Sequence, residues 1–157
     1  MDEKKIRDDV VRFLKENSVI VVATSYKDNP KVSPVYFVSD DDLNFYFATK
    51  RKTEKYIDAS LNSRVAFVVG VGPEHISVQG HGRIEMVVNE GERERIVGLL
   101  TGKQNLLGII KRPIDELVGL RESYKVVFKI VPDEMYFMNL DSRKHSETIS
   151  DELIKII

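Results

Sequence analysis

The sequence predicts a mainly β protein, an antiparallel barrel of six to seven strands with short flanking helices. Two observations predict the antiparallel arrangement. Apolar, β-branched segments come in groups joined by short polar turns, whereas parallel βαβ units would alternate strictly with helices. Helical spacing is confined to brief stretches between those groups. A third observation points to closure. Gly80 and Gly82 fall on the apolar face of the longest candidate strand, where glycine serves a bend, a bulge or close backbone packing.

The elements follow in order. Residues 1–17 read as an N-terminal helix, because Ile6, Val10, Phe13 and Leu14 recur at helical spacing with charges elsewhere. Val19 to Thr24 is a short apolar run, a buried strand. Lys27-Asp28-Asn29-Pro30 is a turn. Lys31 to Ser39 resumes as a strand, Asp40-Asp41-Asp42 turns again, and Leu43 to Thr49 alternates in strand fashion. Lys50 to Leu61 reads as a short helix with Tyr56, Ile57 and Leu61 on one face. Arg64 to Val71 is apolar on both faces, and His75 to Val88 is the long strand carrying the two glycines. Asn89 can cap a helix whose first turn holds Glu90, Glu92 and Glu94, acids suited to the positive helix end. Pro113 starts another short helix through Leu120, and two strands follow, Glu122 to Val131 and Met135 to Leu140, divided at Pro132-Asp133. Residues 141–157 form a C-terminal tail, polar until Leu153, Ile154, Ile156 and Ile157.

Composition narrows the function classes. The 157 residues suit one domain spanning 1–157, and 42% hydrophobic with 31% charged residues is a globular balance. A net charge of -1 argues against nucleic acid as partner. There is no cysteine, so disulfides and thiolate metal sites are excluded. No apolar run approaches the roughly 20 residues that span a bilayer. The opening Met-Asp-Glu-Lys-Lys has no signal core behind it, so the expected location is the cytoplasm, without membrane association. The histidines His75, His81 and His145 fit no metal-ligand spacing, and no metal site is expected. No nucleophile elbow surrounds any serine, and no catalytic residue is assigned.

One stretch carries chemistry. A strand ends at Thr49, and Lys50-Arg51-Lys52-Thr53-Glu54-Lys55 opens a helix. Free N–H groups at a helix start favour an anion. Thr49 and Thr53 add hydroxyls and Lys55 a cation one turn in, which together can cradle a phosphate. On residue types alone the solvated basic turn is the favoured reading of this stretch, since blocks of charge are usually solvated surface.

An ordered set of segments resembles the pyridoxamine 5′-phosphate oxidase-like family. The set comprises Val22-Ala23-Thr24-Ser25, Pro30 to Val38, Leu43 to Thr49 followed by Thr53-Glu54-Lys55, Asn62 to Val69, and Val78 to Glu85. The resemblance covers roughly half the chain. It implies an antiparallel split β-barrel binding FMN between the two subunits of a homodimer. By the same resemblance Lys55 holds the phosphate, helped by Thr53 and by contacts near Thr49 and Lys50. The strand Pro34-Val35-Tyr36 runs past the flavin ring, and a residue near His75 of the second subunit completes the site. Tyr36 and Tyr46 could flank the ring. Related barrels bind a deazaflavin or haem instead.

Departures from the family pattern are specific. Many members have Ser-Arg-Lys where this chain has Thr53-Glu54-Lys55, and an arginine of the true oxidases is Ser33 here. Their C-terminal Trp and Arg region has no counterpart, and beyond Val131 the only arginine is Arg143. The expectation is therefore an FMN-dependent oxidoreductase, passing hydride or electrons between a reduced nicotinamide and a small acceptor, and not a true pyridoxamine 5′-phosphate oxidase. The alternative is a non-catalytic flavin, deazaflavin or haem binder in stress response or sensing.

Overall fold

The computed structural model describes residues 2–51, 53–108, 125–141 and 150–157. In chain order these form α1 (Glu3–Glu16), β1 (Val19–Tyr26), β2 (Asn29–Tyr36), β3 (Val38–Ser39), β4 (Phe45–Lys50), α2 (Glu54–Leu61), β5 (Arg64–Val69), β6 (Ile76–Met86), α3 (Glu90–Leu106), β7 (Lys125–Asn139) and β8 (Ser150–Lys155). The strands make one sheet in the order β2-β1-β5-β6-β7-β4-β3, with β8 added to β7. Every pairing is antiparallel.

This order forces the sheet to curl. β2 and β3 stand at opposite ends of it, yet only Phe37 separates them in the chain. The two edges therefore come together at a seam, as in a split barrel. The interior is aromatic: Phe37, Phe45, Phe47, Phe128 and Phe137 are fully buried. Phe45 packs at 4.8 Å from Phe67 and edge-on at 5.7 Å from Phe37. Helix α1, capped by the Asp2 carboxylate accepting from Lys4 N, adds Ile6, Val10, Phe13 and Leu14 to this core. A second, smaller cluster lies outside the barrel, where α3 lays Ile96, Val97 and Leu100 on Val38, Tyr46 and Val127.

The glycines of β6 act as their position predicts. A bulge falls between His81 and Gly82. A Cβ on Gly80 would overlap the carbonyl oxygen of Glu134, and one on Gly82 that of Val131. The N-cap of α3 is also as predicted, with Asn89 Oδ1 accepting from Glu92 N at 2.9 Å.

Several boundaries differ. The first turn is only Lys27-Asp28, both at positive φ, so Asn29 and Pro30 already belong to β2; this is the local twist that two-residue hairpins need. The strand predicted over Lys31 to Ser39 breaks at Phe37, where the chain crosses from one sheet edge to the other. β5 stops at Val69 and alternates, with Arg64 and Ala66 exposed. The two strands predicted on either side of Pro132-Asp133 are one strand, β7. The register passes from His81↔Glu134 to Gly82↔Pro132 and leaves Asp133 as the unpaired bulge residue, which lets the proline stay in line. The predicted tail contains β8, and Ile154, Ile156 and Ile157 pack against the chain's own core. Helix α2 begins at Glu54 rather than Lys50, and its predicted apolar face is split: Tyr56 packs on the core beside Phe128, while Ile57 and Leu61 turn outward. Ile57 and Leu61 are 49% and 55% exposed while Asp58 and Ala59 are buried. The helix predicted from Pro113 to Leu120, and the start of the strand at Glu122, lie outside the described residues. No helix among the described residues is long and apolar enough to cross a membrane.

Candidate functional site

Among the described residues the seam leaves one long edge of β2 without a strand partner. Phe37 N donates to Ser18 O at 3.2 Å. With Val35 opposite Ile20 and Pro34 opposite Val21, the alternation of antiparallel ladders turns the backbone groups of Val35 and Phe37 toward β1. Those of Pro34 and Tyr36 face the open edge. Pro30 and Pro34 both occupy outward positions, the places on an edge strand where a missing N–H costs nothing. Among the described residues the Tyr36 N–H and the Pro34 and Tyr36 carbonyls have no strand partner on that side.

A cavity of about 680 Å³ opens beside this edge. Val19, Pro34, Val35, Tyr36, Ala48 and Leu100 make its apolar wall, and Thr49, Lys50, Thr53 and Lys55 its polar end. Seven of the eight predicted site residues thus meet in one place: Pro34, Val35, Tyr36, Thr49, Lys50, Thr53 and Lys55. His75 does not. It sits exposed on the turn before β6 at positive φ, its carbonyl accepting from Leu140 N. Val19, Ala48 and Leu100 were not foreseen. Val19 stands opposite Tyr36 in the ladder, a placement that needs the register. Leu100 arrives from a helix far along the chain, with no local signal for it.

The polar end is built on the corner between β4 and α2. Thr49 is buried, and its Oγ1 lies 3.3 Å from Thr53 Oγ1. The Thr53 hydroxyl donates to Lys50 O at 3.0 Å and accepts from Tyr56 N at 3.3 Å, capping α2. Its proton is therefore committed to the corner, and in the Thr49–Thr53 contact Thr49 is the donor. Burial pushes the Lys55 amine below the ordinary lysine range. Among the described residues no carboxylate pairs with Lys55, nor does any with Lys50. Arg51 stacks over the Tyr56 ring at 5.9 Å. Lys52 lies outside the described residues. The arrangement offers a desolvated cation, a hydroxyl and the start of a helix at one end of an apolar slot. It can bind a flat apolar group tethered to an anion.

Other predicted features take structural roles. Burial works to raise the Asp40 carboxyl, but donors from Asn44, Tyr46 and Asp42 outweigh it and hold it below the usual range. That carboxylate organises the hairpin before β4. His81 lies between Arg64 and Glu134 on the barrel's outer surface. His145 lies outside the described residues. Among the described residues no group of three or more His, Cys, Asp or Glu side chains could hold a metal ion.

Residues 6–139 match the family described as pyridoxamine 5′-phosphate oxidase. The chain belongs to that family. Solved structures share its split-barrel fold at low identity. General stress protein 26 from Bacillus anthracis is 19% identical, with a TM-score of 0.66 over 96% of this chain and 98% of that one. A NimC/NimA family protein from Clostridium acetobutylicum is 15% identical, with a TM-score of 0.64 over 98% and 94%. A FAD-binding protein from Mesorhizobium loti is 21% identical, with a TM-score of 0.58 over 79% and 87%. No curated protein matches the sequence. Family membership covers both the strand that walls the cavity and the corner that closes it, since Pro34 and Lys55 lie within the matched residues.

Proposed function

We propose that this chain binds FMN in the seam cavity and serves as an oxidoreductase. It would pass hydride or electrons from a reduced nicotinamide to a small acceptor other than pyridoxamine 5′-phosphate. The observation that carries the reading is the cavity's polarity: one apolar slot ending in Thr49 and a half-buried Lys55 that pairs with no carboxylate among the described residues. A single cationic end suits a single terminal phosphate. The apolar wall suits a flat ring, and the open β2 edge gives that ring backbone hydrogen-bond partners. Family membership and the FAD-binding relative support a flavin. A deazaflavin would use the same corner, and the absorption spectrum tells the two apart.

FMN would supply the redox chemistry. The protein's own part is to grip the phosphate at Lys55 and Thr49, align the ring along Pro34 and Tyr36, and exclude water with Val19, Ala48 and Leu100. No acid or base is required of the wall.

A homodimer follows from the same reading. Cross-strand neighbours share a face, and one outer face of β2, β1 and β5 carries an apolar patch, Val32, Pro34 and Tyr36 beside Val19, Val21 and Ala23, then Ala66 and Val68, with Ser25 and Arg64 at its margin. Val32 is 68% exposed there. Because Val19, Pro34 and Tyr36 also line the cavity, a second copy covering this face would roof the cavity as well. In that arrangement the partner's His75 is the residue brought to the site from outside.

Purified protein should be yellow, or should quench FMN fluorescence on titration. Anaerobic addition of a reduced nicotinamide should bleach the bound flavin. Failure to bind any flavin would end the reading, and binding without bleaching would move it to the non-catalytic alternative. Sedimentation should show a dimer at micromolar concentration. With pyridoxamine 5′-phosphate and oxygen, no aldehyde should form.

A further inference from the structure

Two acids on α2 lie close in sequence to Lys55, and a cation from β2 holds both. Lys31 Nζ lies 3.4 Å from Asp58 Oδ2 and 3.7 Å from Glu54 Oε1. Thr24 Oγ1 donates to the same Asp58 oxygen at 3.4 Å. Asp58 is buried, whereas Glu54 is largely exposed. Lys31 is absent from the cavity wall.

The spacing gives this clamp a consequence. Residues three apart on a helix are surface neighbours, so Asp58 is the natural ion-pair partner of Lys55. Left alone, the Asp58 carboxylate would pair with the Lys55 amine or cancel its field, which is weakly screened at a half-buried site. A phosphate would then meet a neutralised corner. Lys31 turns the acid toward β1 and β2 instead and balances its charge there. Glu54 and Asp58 are four apart and face the same cation, so one lysine holds both. The hydrogen bond from Thr24 fixes the carboxylate in that direction.

We infer that Lys31 is a positioning residue for the anion end of the cavity, one that acts by withholding Asp58 from Lys55. The inference rests on the proposed phosphate role of Lys55. It also explains why α2 turns Asp58 inward and leaves Ile57 and Leu61 in solvent.

The test compares FMN with riboflavin, which has the same ring and no phosphate. Lys31→Met should weaken FMN binding about tenfold, the scale of one charged contact, and leave riboflavin within about twofold of wild type. Lys31→Arg should keep wild-type affinity for both. Adding Asp58→Asn to Lys31→Met should recover most of the FMN affinity, because the competing carboxylate is gone. A structural role alone would make that double variant worse. Equal losses for the two flavins, no loss for FMN, or no recovery in the double variant would each overturn the inference. Should wild-type protein bind no flavin, the cavity reading falls, and the clamp is then read by NMR titration of the Lys55 amine. Lys31→Met should raise its pKa above the wild-type value, and an unchanged value would overturn the clamp as well.

Discussion

Strand β6 and helix α3 both carry glycines inside a regular element, for opposite reasons. In β6, Gly80 and Gly82 have backbone carbonyls where a side chain would begin. In α3, a Cβ on Gly98 or Gly102 would meet nothing within 4 Å. The first pair is required by packing. The second weakens its helix by about 1 kcal/mol per residue relative to alanine, with no packing in return. Helix α3 also buries the Gln104 amide completely, with neither polar atom hydrogen-bonded among the described residues. Its Lys103 reaches across to α1, donating to Leu14 O at 2.9 Å with its Nζ 3.8 Å from the centre of the Phe37 ring. The barrel is thus tight where β6 and β7 touch, whereas the helix whose Leu100 lines the cavity carries two glycines with open space beside them and an amide without a partner among the described residues. Binding sites draw their covers from the weakly held elements of a fold.

The comparison can be broken most directly in β6. Gly82→Ala forces a methyl into the β7 backbone and should cost about 3 kcal/mol or more, read as a drop in urea midpoint. A loss under about 1 kcal/mol would show that β7 yields and that the closure is not rigid.

The cavity beneath α3 gives the next largest effect. Lys55→Ala should weaken FMN binding by about 1.5–3 kcal/mol, as for a charged hydrogen bond. Unchanged affinity would remove the phosphate from this corner.

Lys103 sharpens the comparison through pH. Burial pushes its amine down to about 8, from 10.5, despite the ring and carbonyl that favour the charged form. Below pH 8 both folded and unfolded chains hold the proton, and the folded one bears the desolvation cost. Between pH 8 and 10.5 the folded chain releases it first, so stability should rise with pH across that window. The gain should reach no more than about 2 kcal/mol after solvent screening. Lys103→Met should abolish the rise, so the difference between wild type and variant is the quantity to follow. Tyr46 opposes the trend at the top of the range. Burial and its bond to Asp40 push its phenol up to about 12, so the unfolded chain loses that proton first and stability falls above about pH 10.

The smallest effect lies in the helix itself. Gly98→Ala and Gly102→Ala should each stabilise by about 1 kcal/mol, and they should increase hydrogen-exchange protection in α3 without altering β6. Destabilisation by either would mean that something occupies the space beside those glycines.

Much of this architecture is legible in short stretches of sequence. The spacing of Ile6, Val10, Phe13 and Leu14 determines the buried face of α1, and Asn89 determines where α3 begins. The paired glycines at 80 and 82 announce a close backbone approach, because no other residue lets two strands come so near. The motif from Thr49 to Lys55 identified the polar corner, since a strand end, a capping threonine and a cation one turn later are all local. What the tertiary structure alone decided depends on partners distant in sequence. Pro132 reads as a break, yet β7 runs through it because the register slips beside the bulge facing β6. The terminal isoleucines have no destination until β7 offers an edge to β8. Helix α2 looks apolar along Ile57 and Leu61, but Lys31 and Thr24 draw Asp58 inward and rotate that face to solvent. The cavity wall depends on which strand edge stays unpaired and on a leucine from α3. A sequence shows which residues prefer burial; which neighbours satisfy them is settled only when the sheet curls and its two edges meet.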